Sequence, residues 1–424
     1  MQTVSRLEGE NVLCNVCGRD EYTVVTETSR EVQTASGTYQ FHVRLVCCRA
    51  CGLVYWNPRK TAEELGSYYA SVYRAPVILD NLDEGRRQVL QSRMSLLKEH
   101  APERGRLLEI GSGEGFFLQK AITEGFEATG IEPSRSYAEV SRRLVPEATV
   151  YTGAFESFQS EKAFDVICSF FVLEHILDPA AFLRKCEELL APDGLLYLEI
   201  PDVGLYPSQH SDMVWHEHTY HFTQAAIKQL LARAGFRVID VQSPGPSYQF
   251  GMAVFARKEP TDSARSEKGE NVPDPEAYRT AVKYFEEHFS LLEKYRETLR
   301  RELEPVLNEV RNKERRLAVY GTGIYYDYIH EHTDLKPEDI SIVLDDNEEK
   351  WGKLTRQGLE IKPPASLPES GADIVLIASD CFESKMSENL ARWSQEHGRS
   401  YSALCLHSRV LESLAESDFK RDAD

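Results

Sequence analysis

The chain has 424 residues, 42% of them hydrophobic and 10% aromatic, enough for several cores at ~150 residues per domain. Its 49 Lys and Arg stand against 68 Asp and Glu, a net charge of −19, and so acidic a surface repels nucleic-acid backbones and anionic lipid heads. No stretch approaches the ~20 apolar residues of a membrane helix, and Met1 to Val12 carries charges where a secretory leader has an apolar run. A soluble cytoplasmic protein without nucleic-acid or membrane partners is expected, its oligomeric state open.

Five of the nine cysteines fall within the first 51 residues, an odd and crowded set that a reducing compartment turns toward metal binding rather than disulfides. Cys14-Asn-Val-Cys17-Gly18 and Cys48-Arg-Ala-Cys51-Gly52 are two CxxCG knuckles, the second fed by a β-like stretch from Thr38 to Val46. A two-residue gap lets both thiolates of a pair face one ion, and four thiolates suit a closed, structural Zn²⁺ site. Cys47 has the wrong spacing for a knuckle and is left out.

From Arg106 the chain reads Leu-Leu-Glu-Ile-Gly-Ser-Gly-Glu-Gly-Phe-Phe-Leu, predicting a strand, a turn through Gly111, Gly113 and Gly115, and a helix from Phe116 to about Glu124. Ala-Thr-Gly-Ile-Glu132 predicts a second strand ending in an acid, placed to accept hydrogen bonds from a ribose diol. The turn is not the GxGxxG that seats a pyrophosphate. An acid, Glu109, precedes the glycines, and a carboxylate there favours a positively charged amino-acid tail, as in S-adenosylmethionine.

With Phe164-Asp-Val-Ile-Cys-Ser, Val172-Leu-Glu-His-Ile and the strand Gly194-Leu-Leu-Tyr-Leu-Glu-Ile, this pattern resembles the class I methyltransferases between Gly105 and about Val241. The resemblance implies that Glu132 holds the ribose, that Gly111 and Gly113 face the methionine part with Glu109 beside them, and that Ala154-Phe155 lies near adenine.

After the Glu199-Ile-Pro strand comes Val214-Trp-His-Glu-His-Thr-Tyr-His-Phe-Thr, with His216, His218, His221, Glu217 and Tyr220. Imidazole is the side chain that titrates near neutrality unaided, so this segment is the candidate source of a general base, and Thr223 opens a helix over Ala225 to Ala232. The order of knuckles, core, Glu-His pair and a further α/β segment resembles the sugar C-methyltransferases, which methylate the carbon beside a ketone in a nucleotide-linked keto-sugar. Carried over, His218 is the general base, Glu217 its partner and His175 a second active-site histidine. Two departures stand out. That family has a tyrosine two positions before the glutamate, where this chain has Trp215, and a His-Gly-Gly-Ser segment, where this chain reads Pro244-Gly-Pro-Ser-Tyr-Gln-Phe. Tyr68, Tyr69 and Tyr73 resemble an aromatic stretch over the sugar pocket.

Beyond a polar linker between Arg257 and Asp274, Pro275 to about Arg315 predicts a long amphipathic helix, read as mainly solvated. Leu317-Ala-Val-Tyr-Gly-Thr-Gly, Ile340-Ser-Ile-Val-Leu-Asp-Asp and Ala372-Asp-Ile-Val-Leu-Ile-Ala predict a second Rossmann-like domain whose Gly321, Gly323 and Asp345 are read first as structural. The expected partition is a zinc-binding module at 1–75, a methyltransferase core at 76–258, linker and helix at 259–315, and an α/β domain at 316–424. The functional expectation is C-methylation of a nucleotide-linked keto-sugar through a histidine-formed enolate. The alternatives are O- or N-methylation of a sugar or secondary metabolite, and a zinc-anchored binding module on an inactive core.

Overall fold

The computed structural model describes residues 5–7, 9–34, 37–65, 84–101, 104–214, 217–242, 250–259, 273–380 and 382–421. Tyr68, Tyr69, Tyr73, Trp215, His216 and the stretch 244–249 lie outside them. The chain divides into two compact units, Met1–His288 and Phe289–Asp424.

The first unit holds two sheets. The smaller contains β1 (Ser5–Leu7), β2 (Tyr22–Thr34), β3 (Gly37–Cys48) and β4 (Val54–Trp56). The larger is built from β5 (Gly105–Ile110), β6 (Phe126–Glu132), β7 (Thr149–Thr152), β8 (Phe164–Phe170) and β9 (Leu190–Pro201). A two-residue strand, β10 (Tyr220–His221), pairs antiparallel with β4 and so ties the small sheet to the later part of the unit. The strands β11 (Phe236–Gln242) and β12 (Gly251–Lys258) complete the large sheet.

The large sheet has the order β11-β12-β9-β8-β5-β6-β7. Pairs among β5 to β9 are parallel, while β12 runs antiparallel to both β9 and β11. Strands buried on both faces read as apolar runs whose neighbours serve opposite cores. Thus Leu108 and Ile110 of β5 join one core and Leu107 the other. Helices α1 (Glu84–His100), α2 (Phe116–Thr123) and α3 (Arg135–Leu144) precede α4 (Pro179–Leu189) and α5 (Gln224–Arg233). Met94, Leu97, Phe117 and Leu118 of α1 and α2 fill one core; Phe182, Leu183, Ile227 and Leu230 of α4 and α5 fill the other. Thr223 caps α5, its side chain accepting from the Ala226 amide at 3.2 Å, the use its residue type predicts. The cysteine knuckles belong to the second of these cores.

The second unit is an all-parallel sheet of β13 (Leu317–Tyr320), β14 (Ile340–Leu344), β15 (Ile361–Lys362), β16 (Ile374–Ile377) and β17 (Ser402–Cys405), in the order β15-β14-β13-β16-β17. The long helix α6 (Pro275–Arg311) runs from the first unit into it, and α7 (Ile324–His332), α8 (Glu383–His397) and α9 (Leu406–Arg421) follow.

The expectation of a solvated helix at 275–315 is corrected. Ala277, Ala281 and Phe285 are buried in the first unit, and Leu292, Tyr295, Leu299, Leu303 and Leu307 in the second. Their spacings of three, four and seven residues line one side of the helix, so the charged residues between them are left for the opposite side.

Candidate active site and cysteine centre

The link from β5 to α2 is the turn expected from the glycines. Gly111 and Gly113 have φ of 78° and 51°, a left-handed conformation that costs glycine least. A Cβ at Gly111 would meet a Val172 methyl at 2.5 Å, whereas one at Gly113 would meet nothing within 4 Å, so the turn is tight at its base and open at its tip. The tip is fixed by Glu132 at the end of β6, whose two oxygens accept from the Gly113 amide at 2.9 Å and the Ser134 amide at 2.8 Å. Burial raises the Glu132 carboxyl above its usual range, with those amides opposing.

Glu109 lies buried at the end of β5, its carboxyl pushed up to about 8 by burial, with Arg93 opposing and Glu132 adding to the shift. One of its oxygens and the Ser112 hydroxyl are buried and, among the described residues, have no hydrogen-bond partner. Orphaned groups of this kind call for a ligand or water. An acceptor beside an open glycine tip fits an ammonium-bearing ligand, and the Glu132 oxygens retain lone pairs for hydroxyls. Phe155 departs from a ligand-facing side chain: its ring packs against Phe182 at 4.9 Å in the core. Only its backbone is left to face a nucleobase.

The candidate catalytic residues converge from two segments. After β8, a 3₁₀ turn spans Leu173–His175; the other segment leads into β10. His175 Nδ1 donates to the Glu217 carbonyl at 3.0 Å, so the proton sits on Nδ1 and Nε2 keeps its lone pair. The rings of His175 and His218 meet edge to face at 4.9 Å, and His218 lies 5.9 Å from His221. His221 in turn faces the Tyr206 hydroxyl at 3.0 Å. Burial holds His175 below the ordinary imidazole range, opposed by the Glu217 charge. Glu217 thus acts on His175 through both its carbonyl and its charge.

Two residues of this site escape sequence reasoning. Glu174 is 1% exposed, and burial pushes its carboxyl up to about 8; its signal was its place beside His175 in Leu-Glu-His-Ile. Lys60, pushed down to about 8 by burial against the pull of Glu217, belongs to no motif.

The structure also gathers the four knuckle cysteines. Cys14 and Cys51 sulfurs are 3.4 Å apart, as are those of Cys17 and Cys48, and all four lie within 4.8 Å of one another, buried. Ion–sulfur bonds of ~2.3 Å in a tetrahedron separate sulfurs by ~3.8 Å, so this set fits Zn²⁺ and leaves no position for a substrate. Each knuckle is closed by its glycine amide, Gly18 to the Cys14 carbonyl at 2.7 Å and Gly52 to that of Cys48 at 2.9 Å. Hydrogen bonding among the thiols lowers Cys17 and Cys48, the latter to about 7, and raises Cys14 and Cys51. Cys47 is buried outside this set, its Sγ donating to the Cys48 carbonyl at 3.9 Å, and its thiol is pushed up to about 12 by burial.

This geometry can be set against known proteins. Residues 82–241 match the family model of a methyltransferase domain, and residues 252–404 that of a C-methyltransferase C-terminal domain. The chain carries a class I methyltransferase domain followed by a C-methyltransferase C-terminal domain. The C-methyltransferase NovU of Streptomyces niveus is 26% identical over 250 residues, 54% of this chain and 57% of that protein. A ubiquinone biosynthesis O-methyltransferase of Caulobacter sp. (strain K31) is 35% identical over 97 residues, 22% of this chain and 38% of its own. The chain thus spans less than two thirds of either relative. Among solved structures, an S-adenosylmethionine dependent methyltransferase from Mesorhizobium loti has 18% identity and a TM-score of 0.35, over 40% of this chain and all of its own. The glycine turn, Glu132 and the histidines all fall within the matched methyltransferase domain.

Proposed function

We propose that the protein methylates a carbon beside the ketone of a nucleotide-linked sugar, using S-adenosylmethionine. The convergence of His175, His218 and the Glu217 backbone within the methyltransferase domain carries this reading, and the match of residues 252–404 to a C-methyltransferase domain supports carbon as the acceptor.

Bound S-adenosylmethionine would supply an electrophilic methyl group. Glu132 would hold its ribose diol, Gly111 and Gly113 would admit the methionine part, Glu109 would face the ammonium, and the Phe155 backbone would lie at the adenine. His218 removes the proton from the carbon next to the carbonyl, leaving that carbon nucleophilic. His175, oriented by its Nδ1 hydrogen bond, presents Nε2 beside it. The cysteine centre holds Zn²⁺ as a structural ion in a cytoplasmic protein. The four-part division at residues 75, 258 and 315 remains part of this proposal, with the last part supporting the fold.

Incubating the protein with a nucleotide-linked 4-keto sugar in D₂O, without methyl donor, tests the carbon assignment. Deuterium entering the carbon beside the ketone is expected, and its loss in His218→Ala. No exchange in the wild type would overturn carbon acidity and favour oxygen or nitrogen methylation, which the O-methyltransferase relatives exemplify.

A further inference from the structure

We propose that Glu174, His175 and His218 form a binding site for one divalent transition-metal cation, and that an ion held there excludes His218 from taking a proton. A carboxylate oxygen of Glu174 and one ring nitrogen of each histidine lie within 4.8 Å of one another. Glu174 is 1% exposed, and among the described residues neither of its oxygens has a hydrogen-bond partner. A buried carboxyl whose two oxygens have no partner is costly whether or not it carries a proton, and such a group calls for a ligand.

His175 indicates what that is. With its Nδ1 proton directed at the Glu217 carbonyl, the lone pair of Nε2 is left 3.8 Å from a Glu174 oxygen. That gap is too long for a hydrogen bond. It suits two donors each ~2.0–2.2 Å from a shared ion. A carbonyl fixing the tautomer of an imidazole is also the usual outer support of a metal-bound histidine. His218 brings a second, buried imidazole, its ring 4.9 Å from that of His175. Two imidazoles and one carboxylate suit Zn²⁺, Co²⁺ or Fe²⁺ rather than Mg²⁺ or Ca²⁺, and differ in donor type from the sulfur-only cysteine centre. The His175 side chain is 21% exposed, which leaves an ion a way in.

The site does not depend on which atom is methylated. It has a consequence for catalysis all the same, because the lone pair that binds the ion is the one that would accept the substrate proton. Bound metal and base action at His218 are alternatives, and the ion is inhibitory.

Full-length protein, stripped of metal, reloaded with Zn²⁺ and desalted, is analysed for metal content beside Glu174→Gln and His218→Ala. Wild type is expected to hold one ion more per chain than either variant, whatever the cysteine centre holds. Equal metal content in all three would overturn the site. Co²⁺ titration of the wild type gives an answer independent of variant folding. Weak d–d absorption without thiolate charge transfer, additional to the cysteine signal, is expected, and its absence refutes the proposal. Both readouts are taken without substrate, so their failure is distinct from failure of the methylation reading.

Discussion

The two units each contain a strand, a glycine turn and an acid at the tip of the next strand, and they use it differently. In the first, Glu132 accepts one backbone amide per oxygen, and the tip glycine, Gly113, has open space where a Cβ would stand. In the second, one oxygen of Asp345 takes the Thr322 amide, the Thr322 hydroxyl and the Lys350 ammonium, and the other takes the Asn347 amide. A Cβ at Gly321 would meet the Ala378 carbonyl at 3.0 Å and one at Gly323 nothing within 4 Å, so both turns are tight at the base and open at the tip, and they differ in how fully the acid is engaged. The chain thus leaves lone pairs of Glu132 available above an open turn, whereas it spends those of Asp345 on its own donors.

The largest effect that sharpens this contrast belongs to the open site. His218→Ala should lower turnover ~10²-fold or more, the usual contribution of a positioned base, while calorimetry finds S-adenosylmethionine affinity unchanged; normal turnover would move the base elsewhere. Next comes Glu132→Ala, which on the proposed role would remove two charge-assisted hydrogen bonds to the ribose at ~1.5 kcal/mol or more each. Cofactor affinity should fall by about 10²-fold, and retained binding would equate the two turns. Asp345→Asn should do the reverse, destabilising the second unit by ~1–3 kcal/mol in urea with cofactor affinity intact. A drop in affinity there would show that the filled turn also serves the ligand.

The smallest effect is in acid titration. Asp345 and Asp339 are held below the usual carboxylate range although burial opposes it, by Thr322 and Lys350 for the one and Arg311 for the other. Their contribution is present above the unfolded value of ~3.9 and is lost as pH falls through their lower folded values. Glu109, raised to about 8, acts oppositely: its contribution is complete below ~4.3 and is lost as pH rises toward 8. Below pH 4 the second unit should unfold first, followed by hydrogen exchange; earlier loss of the first unit would contradict this assignment.

Much of the site is legible in the residues themselves because its parts are local. The knuckles, the bend through Gly111 and Gly113 and the acid ending β6 are each set by spacing over a few residues, where backbone freedom and thiolate geometry leave few choices. Glu174 was concealed by its neighbour, since a single sequence does not reveal that an acid is buried. Phe155 could not be oriented, because whether a ring enters the core depends on Phe182, which lies on another helix.

The amino-acid order alone determined the elements, the two Rossmann-like segments and the cysteine pairs, all consequences of short-range periodicity and turn chemistry. Tertiary structure decided which acids stay available. The charge of Glu217 acting on Lys60, Thr322 closing Asp345 and the burial of one side of α6 are long-range outcomes, fixed by packing that removes water from some charges and supplies partners to others.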